Sequence, residues 1–326
     1  MRIIIDAMGG DNAPEAIVKG ACEASLVTDA SLVLVGKEDA VSKLVEKFPH
    51  SDNIELVHAD GVIEMDDDPM SVMKAKKDSS MSEGLRLLKE SGDAFVSAGS
   101  TGALHTGATL IARNIKGVRR AAIATLLPLG RPVLLMDSGA NISVTADNLV
   151  QWAYIGSVYM EKVMGVKNPT VGLLNNGTEE CKGTPLQREA FALMSADERL
   201  NFVGNVESSK LPVGGCDVLI TDGFTGNIAL KLTEGMGKFM LGVLKETFSS
   251  SLGGKISYLL MRSRLKTLKG RFNASSLGGA PILGISRPVI KAHGGSDAEA
   301  IKNAILQAEK FASSGAIDEI TASLAE

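Results

Sequence analysis

Six short glycine-containing turns carry most of the polar side chains that could do chemistry. They are Asp6-Ala7-Met8-Gly9-Gly10-Asp11, the stretch from Ser97 to Leu104, Asp137-Ser138-Gly139-Ala140-Asn141, Asn175-Asn176-Gly177-Thr178, the stretch from Thr221 to Asn227, and Ala292-His293-Gly294-Gly295-Ser296. Glycine lets backbone N–H groups come close to an anion, and Ser, Thr, Asn and His add donors. Where such a turn opens a helix, unpaired N–H groups and the positive end of the helix dipole attract phosphate or carboxylate. Any one of these turns could be an ordinary Gly/Asx connection. Six of them, each with a polar side chain, point instead to a shared anion-binding cleft. None reads GxxxxGK[ST], and none reads GxGxxG after the first strand, so the usual signals of a P-loop kinase and of a nicotinamide site are missing.

The elements that must position these turns follow from the apolar pattern. Strands are expected at Ile3–Asp6, Leu32–Gly36, Ile54–His58, Ala94–Ala98, Val133–Asp137, Val171–Asn175, Phe202–Gly204, Val218–Thr221 and Val289–Ala292. Stretches of helical length separate most of them. This alternation predicts βαβ units, a mostly parallel sheet and helices on both faces. In such a sheet ligands bind beyond the carboxyl ends of the strands, so turns at one sheet edge would line a single cleft. Thr184-Pro185-Leu186-Gln187 and Ser296-Asp297-Ala298-Glu299 each read as a capped helix start. The latter opens a helix with Ile301, Ala304, Ile305 and Ala308 on one face. The acidic run Glu64, Asp66, Asp67, Asp68 reads as the start of a solvated helix.

Composition narrows the classes. The 326 residues are 44% apolar, enough for a large core, and the net charge of −4 carries no nucleic-acid signal. Three scattered cysteines, Cys22, Cys181 and Cys216, give neither a disulfide framework nor zinc spacing and suit a reducing cytoplasm. The opening MRIIIDAMGGD reads as a first strand rather than a signal peptide, and no apolar run approaches the roughly 18 residues of a membrane span. A cytoplasmic protein, free or bound to a membrane surface, is expected.

Taken in order, DAMGGDNAP (6–14), SAGSTGAL (97–104), NGTEECKG (176–183), GNVE (204–207), VLITDGFTGNIALK (218–231) and KAHGGSD (291–297) resemble the bacterial phosphate acyltransferase (PlsX) family along nearly the whole chain. Ser100 stands where the family usually has Asn, and Ser138 where it has an apolar residue. Lys74, Lys76, Lys77, Ser79 and Ser80 also resemble a family segment. The resemblance implies a three-layer α/β/α sandwich with a mostly parallel sheet, isocitrate/isopropylmalate-dehydrogenase-like and related to phosphotransacetylases, acting as a homodimer. It implies one phosphate acyltransferase domain over 1–326. It also implies transfer of a fatty acyl group from acyl carrier protein to inorganic phosphate, with the acyl phosphate passing to a membrane-bound glycerol-3-phosphate acyltransferase.

That chemistry makes modest demands. Phosphate is largely dianionic near neutral pH and needs no strong base. The leaving thiol, with a pKa of about 8.5, departs readily as thiolate. The site must bind and orient phosphate and stabilise an oxyanion, where one well-placed donor contributes about 3 kcal/mol. Candidate catalytic groups are Lys182, Asn227, His293 and Asp222. Lys182 supplies a cation, Asn227 a donor, His293 a phosphate ligand or proton shuttle, and Asp222 an orienting carboxylate. Candidate phosphate contacts are Gly9, Gly10, Asp11, Ser100, Thr101, Gly102, Asn141, Gly223, Lys231, Gly294 and Ser296. Lys231 lies one helical turn after Asn227 on the same face. No cofactor is expected, and the close acidic cluster that a metal would need is absent.

From Thr247 to Ser296 there is no Asp or Glu, while Lys255, Arg262, Arg264, Lys266, Lys269, Arg271, Arg287 and Lys291 fall within it. Met261, Leu265, Leu268 and Phe272 recur at helical spacing, whereas Leu252, Ile256, Leu259 and Leu260 fall on another face. The pattern predicts a basic amphipathic insertion at about 250–275, broken near Met261 into two short helices. Three readings stay open: contact with anionic membrane through Arg262, Arg264, Leu265, Lys266, Leu268 and Lys269, docking of the acidic carrier protein by the same residues, or core packing with a basic rim. Competing functions are a short-chain phosphotransacetylase, a dehydrogenase of the same fold and a non-enzymatic membrane scaffold for lipid-synthesis enzymes.

Overall fold

The alternating pattern closes into an eleven-stranded sheet. The computed structural model describes residues 1–127, 131–271 and 278–324; within 252–271 the side chains of Leu252, Lys255, Ser263 and 265–271 lie outside the description. In chain order the elements are β1 (Arg2–Asp6), α1 (Glu15–Ser25), β2 (Ser31–Gly36), α2 (Glu38–Val45), β3 (Ile54–His58), α3 (Ser80–Ser91), β4 (Ala94–Ser97) and α4 (Thr101–Gly107). Next come β5 (Ala122–Leu127), β6 (Val133–Met136), α5 (Ala146–Lys162), β7 (Thr170–Asn175), α6 (Pro185–Ala196), β8 (Asn201–Glu207) and β9 (Val218–Ile220). The chain continues through α7 (Gly223–Ser249), α8 (Leu252–Arg271), β10 (Ala280–Leu283), β11 (Val289–Lys291), α9 (Ala298–Ser313) and α10 (Ala316–Ser323).

The strand order is β3-β2-β1-β4-β11-β10-β5-β6-β9-β7-β8. The pairs on either flank are parallel, while β10 is antiparallel to β11 and to β5, and β5 is antiparallel to β6. The expectation of turns on one edge is therefore corrected. An odd number of reversals across β10, β5 and β6 makes the β1–β4 and β11 half run opposite to the β6–β9 half. The turns of the two halves approach one another at the central junction. Nine strands lie where the sequence places them; β5 and β10 were not anticipated. Ala-Ile-Ala-Thr-Leu-Leu suits helix or strand equally, and Pro281 argues against a strand inside a sheet.

Side chains alternate between the faces as a pleat requires. Ile3 and Ile5 of β1 join a core with Val18 of α1 and Ile301 and Ile305 of α9, while Ile4 packs with Leu85 and Leu88 of α3. The first of these cores also contains Leu134, Trp152 and Val218, so it crosses the junction between the two halves. Helices cover both faces, giving the three layers expected.

Thr184 and Gln187 form the capping box that the sequence suggests. The second cap is corrected by one residue: Asp297, not Ser296, caps α9 by accepting from the Ala300 N–H at 2.9 Å. The acidic run does not begin an α-helix. Asp68 caps a single 3₁₀ stretch, Pro69–Met73, and Asp67 pairs with Lys76 at 2.5 Å.

The predicted break at Met261 is also corrected. α8 is continuous from Leu252 to Arg271, and the break falls at Ser250-Ser251, between α7 and α8. Serines and glycines cluster there, whereas nothing near Met261 opposes a helix. Only Gly223 and Gly226 of α7 are buried, so most of α7 runs as an exposed arm paired with α8. Arg262 and Arg264 are exposed. Leu265, Lys266, Leu268 and Lys269 are helical with side chains outside the description, and Phe272 lies outside the described residues. Among the described residues no helix is long and apolar enough to cross a membrane.

Candidate functional site

At the junction of the two halves lies a cleft of about 510 Å³. One wall carries Asp11, Thr101, Lys291, His293, Gly294 and Ser296 from the turns after β1, β4 and β11. The facing wall carries Ser138 and Gly139 from the turn after β6, and Asn227, Leu230, Lys231 and Glu234 from the first turns of α7. Ile123, Thr125 and Leu126 of β5 and the start of β10 form its floor. Seven candidate residues thus meet: Asp11, Thr101, Asn227, Lys231, His293, Gly294 and Ser296.

Two buried carboxylates build the walls. Asp6 ends β1 and accepts from the hydroxyls of Ser80 at 2.6 Å and Ser97 at 2.7 Å and from the Met8 N–H at 3.2 Å. Burial raises its carboxyl above the usual range, and these hydrogen bonds oppose the rise. A side chain at Gly9 would put its Cβ 2.4 Å from Asp6 Oδ2 and 2.8 Å from the Gly99 nitrogen, and Gly10 has φ +112°. Gly9 and Gly10 therefore let the β1 and β4 turns touch backbone to backbone. On the other wall Asp137 accepts from the N–H groups of Ile123, Gly139, Ala140 and Asn141, and from the Asn141 amide.

Several candidates serve this scaffold rather than the lining. Asp222 is the N-cap of α7, accepting from Thr225 N–H at 2.9 Å and its hydroxyl at 2.7 Å. Asn141 is held by Asp137 and donates to the Ala121 carbonyl, and its own carbonyl accepts from the Gly223 N–H at 2.8 Å. Gly9, Gly10, Ser100 and Gly102 are not among the residues that line the cleft. Ser100 is the N-cap residue of α4 but makes no side-chain cap bond, which leaves the first-turn N–H groups of that helix without this partner. Lys182 is exposed in the turn after β7 and stands outside the cleft. One strand, β9, separates β7 from β6, which carries its turn away from the junction.

The polar groups in the cleft have definite roles available. His293 Nδ1 accepts from the Gly295 N–H at 3.1 Å, so the neutral ring carries its proton on Nε2. Lys231 pairs with Glu234 at 3.0 Å, which offsets part of its charge. Ser138 donates to the Ile123 carbonyl at 3.0 Å and lies 2.8 Å from the Thr125 hydroxyl. Ser138 and Thr125 therefore add a hydroxyl pair to the lining.

The sequence puts Lys291 in an expected strand, in the KAHGGSD segment and in the basic stretch, but gives it no role in the site. The structure puts it at the end of β11, 8% exposed, with Nζ donating to the carbonyl oxygens of Ala98, at 3.3 Å, and Ala292. Burial pushes its amine down to about 8, with the Asp11 and Asp6 charges opposing. The signal for it was a lysine closing an apolar strand directly before the His-Gly-Gly turn.

A family model described as fatty acid synthesis protein matches residues 1–319. The chain is similar to the phosphate acyltransferase of Caldicellulosiruptor bescii, 45% identical with 99% of each chain covered. It is similar to that of Fusobacterium nucleatum, also 45% identical with 98% of each covered. Among solved structures it resembles a phosphotransacetylase from Streptococcus pyogenes, with TM-score 0.62, 20% identity and coverage of 95% of this chain and 94% of that one. It also resembles a 4-hydroxythreonine-4-phosphate dehydrogenase from Klebsiella pneumoniae, with TM-score 0.55, 14% identity and coverage of 96% and 99%. The last two likenesses are of fold.

Proposed function

The chain belongs to the phosphate acyltransferase (PlsX) family, and from that premise we propose that it transfers a long-chain fatty acyl group from acyl carrier protein to inorganic phosphate. The observation that carries this reading is the convergence of Thr101, Asn227, His293, Ser296 and two lysines on one cleft with an apolar floor. Phosphate binds among the donors and cations, and the thioester carbonyl lies against Asn227 and His293. A phosphate oxygen attacks the carbonyl carbon, and the amide of Asn227 and Nε2–H of His293 stabilise the oxyanion. The C–S bond then breaks. The thiolate leaves and takes up the proton that hydrogen phosphate gives up, so no net proton is needed from the protein. Ile123, Leu126, Leu230 and Met65 receive the first carbons of the acyl chain.

The continuous apolar core supports one domain over 1–326. The α7–α8 arm supports two partners. Phe224, Ile228, Leu232, Met236, Phe239, Met240 and Val243 are exposed along α7, a stripe that suits a second copy in a homodimer. Leu259, Leu260 and Met261 are exposed beside Arg262 and Arg264, a pairing that suits an anionic membrane at the cytoplasmic face. There the acyl phosphate would reach a membrane-bound glycerol-3-phosphate acyltransferase. Vesicle sedimentation tests this: Leu259→Glu with Leu260→Glu should abolish binding to anionic vesicles, and unchanged binding would contradict it. Trapping the product of palmitoyl-acyl carrier protein and phosphate with hydroxylamine tests the reaction. A palmitoyl hydroxamate formed only with phosphate and enzyme supports it, and none would contradict it.

A further inference from the structure

We propose that the ammonium of Lys291 is the buried cation that binds the attacking phosphate; the inference rests on the phosphate acyltransferase reading. Lys291 lines the cleft while almost all of its surface is buried. An ammonium has three hydrogens, and the Ala98 and Ala292 carbonyls take two, which leaves one for a ligand. None of the ion pairs among the described residues involves it. A buried cation without a carboxylate partner is costly until an anion arrives.

The surrounding charges leave that vacancy to phosphate. Asp6 is committed to Ser80, Ser97 and Met8 N–H, and Asp11 is exposed and acts on Lys291 only through its charge. Lys231, across the cleft, is exposed and already paired with Glu234, and His293 is the remaining titratable group in the lining. A phosphate dianion on the Nζ of Lys291, beside the thioester carbonyl held by Asn227 and His293, would compensate the buried charge where low dielectric strengthens the attraction. It would also keep the amine protonated at neutral pH. Lys291 transfers no proton; it holds the nucleophile.

The first test is steady-state kinetics with phosphate varied at saturating acyl carrier protein thioester. Lys291→Met should raise KM for phosphate about tenfold or more and leave KM for the thioester within about twofold. Lys291→Arg, which keeps the charge, should recover part of the loss. An unchanged KM for phosphate in an active Lys291→Met protein overturns the inference. A wild-type enzyme without phosphate-dependent transfer overturns the underlying reading instead. Should Lys291→Met not fold, the wild type decides: trace labelling with acetic anhydride, read by mass spectrometry of the peptide containing Lys291. Phosphate should suppress labelling of this lysine relative to chloride at equal ionic strength. Equal labelling overturns the inference.

Discussion

Gly226 in the first turn of α7 lies so close to Asp137 that a Cβ on it would sit 1.9 Å from the Asp137 carbonyl oxygen. This contact locks the helix bearing Asn227 and Lys231 onto the turn bearing Ser138 and Gly139. The two sides of that wall are therefore packed backbone to backbone. Gly226→Ala cannot be accommodated without shifting backbone, because the obstructing atom belongs to a turn held by five hydrogen bonds to one carboxylate. We expect Gly226→Ala to lose activity at least a hundredfold or to fail to fold, a misplacement effect on the order known for catalytic groups moved by about 1 Å. Thermal unfolding and turnover of the purified variant check this.

Asp6 predicts a stability effect. Asp6→Ala leaves the hydroxyls of Ser80 and Ser97 and the Met8 N–H without their shared acceptor, in a place water does not reach. A loss of about 2–4 kcal/mol is expected, read from urea unfolding. A loss below about 1 kcal/mol would mean that the turn after β1 is held by its glycine contacts alone.

Lys291 predicts a pH dependence with a definite sign. Its amine titrates near 8 when folded, against 10.5 for the ordinary side chain. Between these values the unfolded chain holds more protons, so its contribution to stability rises with pH. Below pH 8 the full cost of burying the charge is present, on the order of 3 kcal/mol. The unfolding free energy of wild type relative to Lys291→Met should therefore increase from pH 7 to pH 10 in the absence of phosphate. A constant difference would show that the amine is not perturbed by burial.

Asn227 and Asp222 separate chemistry from scaffold. Asn227 is exposed in the cleft, and Asn227→Ala should lower kcat about a hundredfold, the effect of losing one oxyanion donor, with little change in Tm. Asp222→Ala removes a helix cap and should cost about 1 kcal/mol of stability, with a smaller change in kcat. Paired measurements of kcat and Tm on both variants distinguish the two roles.

The strand-turn-helix rhythm was legible because buried strands such as Ile3–Asp6 and Val33–Val35 are runs of branched residues ending at Asp or Gly. Thr101, Asn227, His293 and Ser296 are legible as cleft candidates for the same reason, since each lies in the turn or first helical turns that follow a strand. What escaped were β5 and β10, whose antiparallel pairing reverses the second half of the sheet; no local pattern encodes that reversal. Without it, nothing local distinguishes the turn after β7, which carries Lys182 outside the cleft, from the turns that line it. Lys291 stands in the KAHGGSD segment, but a charge within a basic stretch carries no local sign that it is buried. Its placement depends on the carbonyl of Ala98, a long-range neighbour that spacing does not reveal.

The most direct test of the account is release of free thiol from palmitoyl-acyl carrier protein by the purified protein, followed as phosphate is varied. The account predicts that release saturates with phosphate, is negligible without it, and yields one acyl phosphate per thiol. Release at the same rate without phosphate, or no release at any phosphate concentration, would contradict it.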